Sequence, residues 1–316
     1  MFCTRQLLLQ NQQQEEILTE NSERWVMFPI KYHSLWKLYK KAENAFWAAE
    51  NFRFSNDIDF FKSIDPQITQ SLINTLQYHI EKDSNPISRP CTFTCELIKQ
   101  VQIPEARAFY GFQIMFENVH FEALGSLFNI LNPNSTPVSI PSYKQTWSKA
   151  NLDKELSFFE KIFCNLLVKT IFFTGLLIIK NYLSKQSICK ETICAFEKIE
   201  NDIEIQSQFT TTLIKMLKCK LEQSLVYEYL NDAINTELTF LNATISFEKL
   251  GTNENDVLDY LKATGDSLLN CIGYPPIYKA KNNTTIKILD MSPVLTVEKI
   301  KKIDHGRQEV VLDEEF

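Results

Sequence analysis

Residues 166–180 read LLVKTIFFTGLLIIK, and a run this apolar leaves the chain few ways to fold. From 162 to 179 it approaches bilayer-spanning length, but Asn165 and Lys169 interrupt it and no second run of its kind occurs. A core helix, buried on every side, is therefore favoured over a membrane span. Lys169 then poses a problem. An unpaired buried ammonium costs several kcal/mol, so it must lose its proton, reach solvent or meet a carboxylate.

Elsewhere apolar residues recur at spacings of three and four over long distances, which is helical periodicity. Only 7 glycines argue against a turn-rich β architecture, while 44% hydrophobic content allows one sizeable core. The expected fold is all-α, a bundle of long helices over 33–51, 66–82, 104–131, 152–183, 191–221, 225–246 and 254–272, with a short one near 95–100. Asp65 can cap and Pro66 can open the second of these, and Pro133, Pro137 and Pro141 mark a loop. No interior seam divides the chain, which reads as a flexible segment 1–22, a helical domain 23–274 and an extended tail 275–316. The N-terminal leucines are too few for a secretory signal.

A net charge of −6 and a pI near 5.4 give no electrostatic reason to approach nucleic acid or an anionic membrane, so neither is expected as a partner. The eight cysteines show no paired CxxC spacing, which suits buried structural thiols in a reducing cytosol better than disulfides or zinc. A cytoplasmic location is expected.

One constellation carries chemistry. In the 104–131 helix, Gln113, Glu117, His120 and Leu124 follow at spacings of four, three and four and share a face. Glu117 and His120 form a Glu-x-x-His pair, able to present a carboxylate and an imidazole to one metal ion, although a hydrogen-bonded core histidine satisfies the same pattern. A di-iron carboxylate bundle needs two such pairs. The residues three before the other histidines are Ile30, Leu76 and Lys302, so a second pair is absent from the sequence.

The stretches ERWVMFPIKYHSLWKLYKKAENAFWAAENF at 23–52, VQIPEARAFYGFQIMFENVH at 101–120 and TIFFTG at 170–175, with the LDEEF ending, resemble the small (R2) subunit of class I ribonucleotide reductase, in its eukaryotic form. The resemblance implies a ferritin-like bundle in which a di-iron centre oxidises a tyrosine and the radical passes to a large subunit that reduces ribonucleotides. By the same resemblance, Glu117 and His120 match two of the iron ligands, and Asp83 comes near a third position if a short gap is allowed. Without a gap that third position falls on Pro86; the remaining three ligand slots fall on Lys169, Ile203 and Gln206, and the radical-tyrosine slot on Leu124. Trp47 and Asp202 match the radical relay and could join His120 in a hydrogen-bond chain. The relay tyrosine of the tail has no counterpart, since residues 290–316 contain no tyrosine.

No catalytic residue and no cofactor are thus expected in this chain. Lys169 either reaches solvent along its aliphatic stem or pairs with Glu117, its ammonium standing in for a metal cation. The tail residues Val310, Val311, Leu312, Asp313, Glu314, Glu315 and Phe316 look like the family's docking element for the large subunit; read alone, they are equally a solvated tail. Three functions are open: an auxiliary small subunit paired with a metal-bearing small subunit; an inactive homodimer that occupies the large subunit; and a single-metal oxidase using Glu117, His120, Asp83 and Glu204.

Overall fold

The computed structural model describes residues 2–21, 24, 26–80, 92–152 and 155–280. Among them lie twelve α-helices: α1 Arg5–Asn11, α2 His33–Asn44, α3 Ile58–Ser63, α4 Pro66–Ile80, α5 Thr92–Gln100, α6 Pro104–Leu131, α7 Tyr143–Leu152, α8 Phe158–Thr170, α9 Thr174–Gln186, α10 Lys190–Met216, α11 Gln223–Thr244 and α12 Glu254–Ile272. The all-α expectation holds, and α6 and α12 have the bounds expected from the sequence. Two dipeptide strands, β1 Phe2–Cys3 and β2 Lys220–Leu221, pair in parallel.

The bundle is built on α6 and α10. Helix α6 packs against α2, α4, α5 and α10; helix α10 also meets α2, α8 and α9, and α11 closes the far side against α7, α8 and α12. Helix α8 is buried along almost its whole length, from Phe158 to Thr170, which accounts for its apolar composition. Local signals set the ends. Ser157 and Glu160 form a reciprocal capping box at the start of α8, Asn253 caps α12, and Gly273 ends α12 at φ 82°, where a side chain would be strained.

Four departures from expectation have physical causes. The apolar run is two helices rather than one, with turns at Ile171, Phe172 and Phe173. The Phe172 carbonyl at that break accepts a hydrogen bond from Lys144 Nζ at 2.9 Å. Lys144 belongs to α7, a helix hidden from a sequence reading because it follows three prolines and buries polar residues, Lys144, Gln145 and Ser148. The 33–51 helix stops at Asn44, and the chain re-enters as a 3-10 turn at Ala49–Asn51 that turns Trp47 inward. Helix α10 stops at Met216, and the following residues are drawn into β2 by β1.

That last pairing also changes the picture of residues 1–22, expected as a flexible lead-in. Cys3, Leu8 and Ile17 are buried, and Thr4 caps α1. Arg5 Nε lies 2.6 Å from Glu160 Oε1 and its Nη2 donates to the Tyr229 hydroxyl. The Glu15 carboxylate accepts the backbone N–H groups of Lys218 and Cys219, each at 3.0 Å. These contacts strap the segment to the bundle.

Candidate functional site

Helix α6 supplies Glu117, His120 and Leu124 along one buried stripe, as their spacing requires. Helix α8 brings Lys169 to the same point from the opposite side, and α10 brings Ile203. Together with Tyr78 and His79 of α4, these side chains line a cavity of about 50 Å³.

The Lys169 ammonium donates to Glu117 Oε1, and both side chains are buried. Of the two sequence readings of Lys169, escape to solvent is set aside: its side chain is only 8% exposed. The same carboxylate oxygen accepts from Thr94 Oγ1 at 2.9 Å and from Gln113 Nε2 at 3.0 Å, while Gln113 also donates to Thr94 Oγ1. The other Glu117 oxygen, Oε2, has no hydrogen-bond partner among the described residues.

His120 turns to a different partner. Its Nε2 lies 2.9 Å from Asp202 Oδ2, and the Trp47 indole Nε1 donates to that same oxygen at 2.8 Å. The Trp47 and His120 rings stack, with centroids 5.7 Å apart and planes 16° from parallel. The three residues expected to join by hydrogen bonds therefore do so as a closed cluster, in which Asp202 bridges two stacked rings. It ties the segment after α2 to α6 and α10.

His79 was not singled out by the sequence, yet its ring borders the cavity. Burial, reinforced by the nearby Lys144 ammonium, His120 and Lys169, pushes His79 well below the usual histidine range, so it is neutral. Thr94 was also missed. Nothing in its spacing links it to Glu117, because it comes from α5, whereas Gln113 lies one turn before Glu117 on a shared face.

Of the other expected site residues, Leu124 is buried against the cavity and offers no phenol. Gln206 is buried on α10 with its Oε1 unpartnered among the described residues, but it does not line the cavity. Glu204 accepts from Gln208 Nε2 one turn along α10 at 3.0 Å and does not line the cavity. Asp83, Pro86 and Val310 through Phe316 lie outside the described residues. Among the described residues, no three His, Cys, Asp or Glu side chains come together as a group able to hold a metal ion.

A larger cleft of about 330 Å³ lies between the N-terminal segment and the start of α6. Of its charged groups, Arg24 pairs with Glu105 and Lys31 with Glu16.

Comparison with known proteins agrees with the resemblance. The sequence model of the family described as "Ribonucleotide reductase, small chain" matches residues 24–284. The ribonucleoside-diphosphate reductase small chain of Neurospora crassa is 32% identical over 284 residues, which cover 85% of the present sequence and 68% of that protein. Its counterpart from Nicotiana tabacum is 28% identical over 279 residues, which cover 85% of the present sequence and 84% of that protein. The structure of the ribonucleotide reductase Rnr4 homodimer from Saccharomyces cerevisiae superposes with a TM-score of 0.80 at 26% identity, covering 88% of the present sequence and 91% of that protein.

Proposed function

The chain belongs to the ribonucleotide reductase small-chain family, and from that premise we propose that it is a non-catalytic, auxiliary small subunit of ribonucleoside-diphosphate reductase. In this reading it pairs with a metal-bearing small subunit in the cytoplasm, docks on the large subunit and supports deoxyribonucleotide synthesis without a metal of its own.

One observation carries the reading: the Lys169 ammonium bonded to Glu117. The family uses a di-iron centre, and two divalent cations need several anionic or imidazole donors converging on one point. The described donor set does not fit that need. Glu117 Oε1 is shared among Lys169, Thr94 and Gln113, and His120 Nε2 faces Asp202. A fixed ammonium inside the cluster repels a metal cation, and neutral Ile203 and Leu124 complete the wall. Lys169 is best understood as the replacement for a metal charge, keeping the inherited carboxylate neutralised.

The homodimeric Saccharomyces structure favours a second reading, in which two copies of this chain occupy the large subunit and limit the reaction. Native mass spectrometry of the complex purified from its own cells separates the two. The auxiliary reading expects one copy of this chain, metal-free, beside one metal-bearing small subunit. Two copies of this chain, with titration lowering reductase activity, would establish the second reading; two metals bound per chain would overturn both.

A further inference from the structure

The pairing of β1 with β2 puts two cysteines side by side. Its register sets Phe2 opposite Lys220 and Cys3 opposite Leu221, and the Cys3 carbonyl accepts from Glu222 N at 2.9 Å. Cys219 occupies the bend just before β2 and lies two residues from the partner of Cys3, hence on the same face of the ribbon. Cys219 stands near enough to Cys3 to add to burial in raising the Cys3 thiol. Neither cysteine is in a disulfide; Cys3 is buried and Cys219 half-buried. Their backbones are fixed from outside the ribbon, Cys219 by Glu15 and the Cys3 segment by the Arg5–Glu160 ion pair.

We propose that Cys3 and Cys219 form a reversible dithiol–disulfide pair, a modification site for low-molecular-weight disulfides of the glutathione type. The sequence reading of every cysteine as a structural thiol does not foresee it, because the two, 216 positions apart, are brought together only by strand pairing.

The more exposed Cys219 reacts first. Its thiolate attacks one sulfur of the oxidised disulfide, forming a mixed disulfide at Cys219 and releasing one thiolate. Cys3 then gives up its proton and attacks the Cys219 sulfur, forming the Cys3–Cys219 bond and releasing the second thiolate. Two protein thiols are oxidised and one small disulfide is reduced to two thiols. Burial pushes the Cys3 thiol up, which makes it a poor first nucleophile and a suitable resolving partner held in place.

The lock sits at the root of the C-terminal segment. The Phe2 ring rests on Tyr274 at 5.2 Å, and the Tyr274 hydroxyl donates to the Leu221 carbonyl at 2.6 Å. Oxidation would therefore fix residues 2–18 and the start of the tail as one unit.

The test equilibrates the intact protein with mixtures of reduced and oxidised glutathione, alkylates the remaining thiols and maps cross-linked peptides by mass spectrometry, with thermal melts in parallel. The expected result is a Cys3–Cys219 cross-link that grows with the oxidised fraction, disappears with dithiothreitol and raises Tm by roughly 5–10 °C. C219A should lose that rise and melt like the reduced wild-type protein. Both thiols remaining alkylatable under full oxidation, glutathione persisting on Cys219, or Cys3 cross-linked to another cysteine would each overturn the proposal. The peptide map on the wild-type protein decides the matter even if a variant folds poorly.

Discussion

A carboxylate and an ammonium in contact inside a protein are each badly placed without the other, and this sets the cost of disturbing Lys169 and Glu117. Replacing Lys169 with methionine leaves the Glu117 carboxylate buried beside two neutral donors only, and should destabilise the fold by about 3–5 kcal/mol. Glu117→Gln alone strands the ammonium and should cost a similar amount. The double substitution removes both charges from a site already walled by Leu124 and Ile203, so most of the loss should be recovered. Urea denaturation of the wild-type protein, both single variants and the double variant measures the coupling directly. Strictly additive losses would refute the pairing as an energetic unit. The Glu117 and Lys169 pattern was legible in the sequence because a lysine in an apolar helix demands a partner. Thr94 and His79 were not, since their approach depends on how α4 and α5 pack rather than on any spacing along the sequence.

At the level of elements, a second buried lysine explains why the apolar run is not one straight helix. Lys144 Nζ lies 2.8 Å from Glu237 Oε2, with neither side chain exposed, and stands 3.8 Å and 4.2 Å from the ring centres of Tyr78 and Phe240. Burial holds Lys144 below the usual amine range and Glu237 above the usual carboxylate range. The ammonium also binds the Phe172 carbonyl that the α8–α9 break leaves without a helical partner. The break lets α9 come close to its neighbours. A Cβ on Gly175 would stand 3.1 Å from Leu241 and 3.2 Å from Thr75. Lys144→Met removes the clamp, and should cost about 3–5 kcal/mol while speeding amide exchange at residues 171–175 more than in α6. Uniform acceleration across the bundle would show that the clamp has no local role. Helix existence was readable from periodicity, as were the bounds of α6 and α12. The break was hidden because every residue through it is apolar and buried, and its cause sits 28 residues away in α7.

Two predictions concern the molecule as a whole, because they depend on what holds its ends. Glu105, at the start of α6, accepts from Arg24 Nη1 and Nη2 and from the backbone N–H groups of Lys31 and Tyr32, fastening the segment before α2 to the bundle. Burial alone would raise its pKa, but Arg24 and the backbone donors outweigh burial and hold it at about 2, against an ordinary 4.5. A depressed carboxylate stabilises the fold fully above the ordinary pKa and loses that contribution as pH falls toward the folded value. Stability on the order of 3 kcal/mol should therefore vanish between about pH 5 and 2, and Glu105→Gln should flatten that part of a pH-dependent denaturation profile. An unchanged slope in the variant would assign the acid sensitivity elsewhere. At the other end, the Asp266 carboxylate accepts the backbone N–H groups of Ile277, Tyr278 and Ala280 at 2.9, 3.0 and 2.9 Å, so residues 281–316 leave from a fixed point. Those 36 residues span at most roughly 120–130 Å when fully extended, enough to reach a partner well beyond the bundle surface. If the family ending is the docking element, removing residues 310–316 should abolish binding to the large subunit while leaving Tm unchanged. Calorimetric titration of the truncated and intact proteins against the large subunit gives the answer. Equal affinity would transfer docking to the folded surface and leave the acidic, apolar ending without that role.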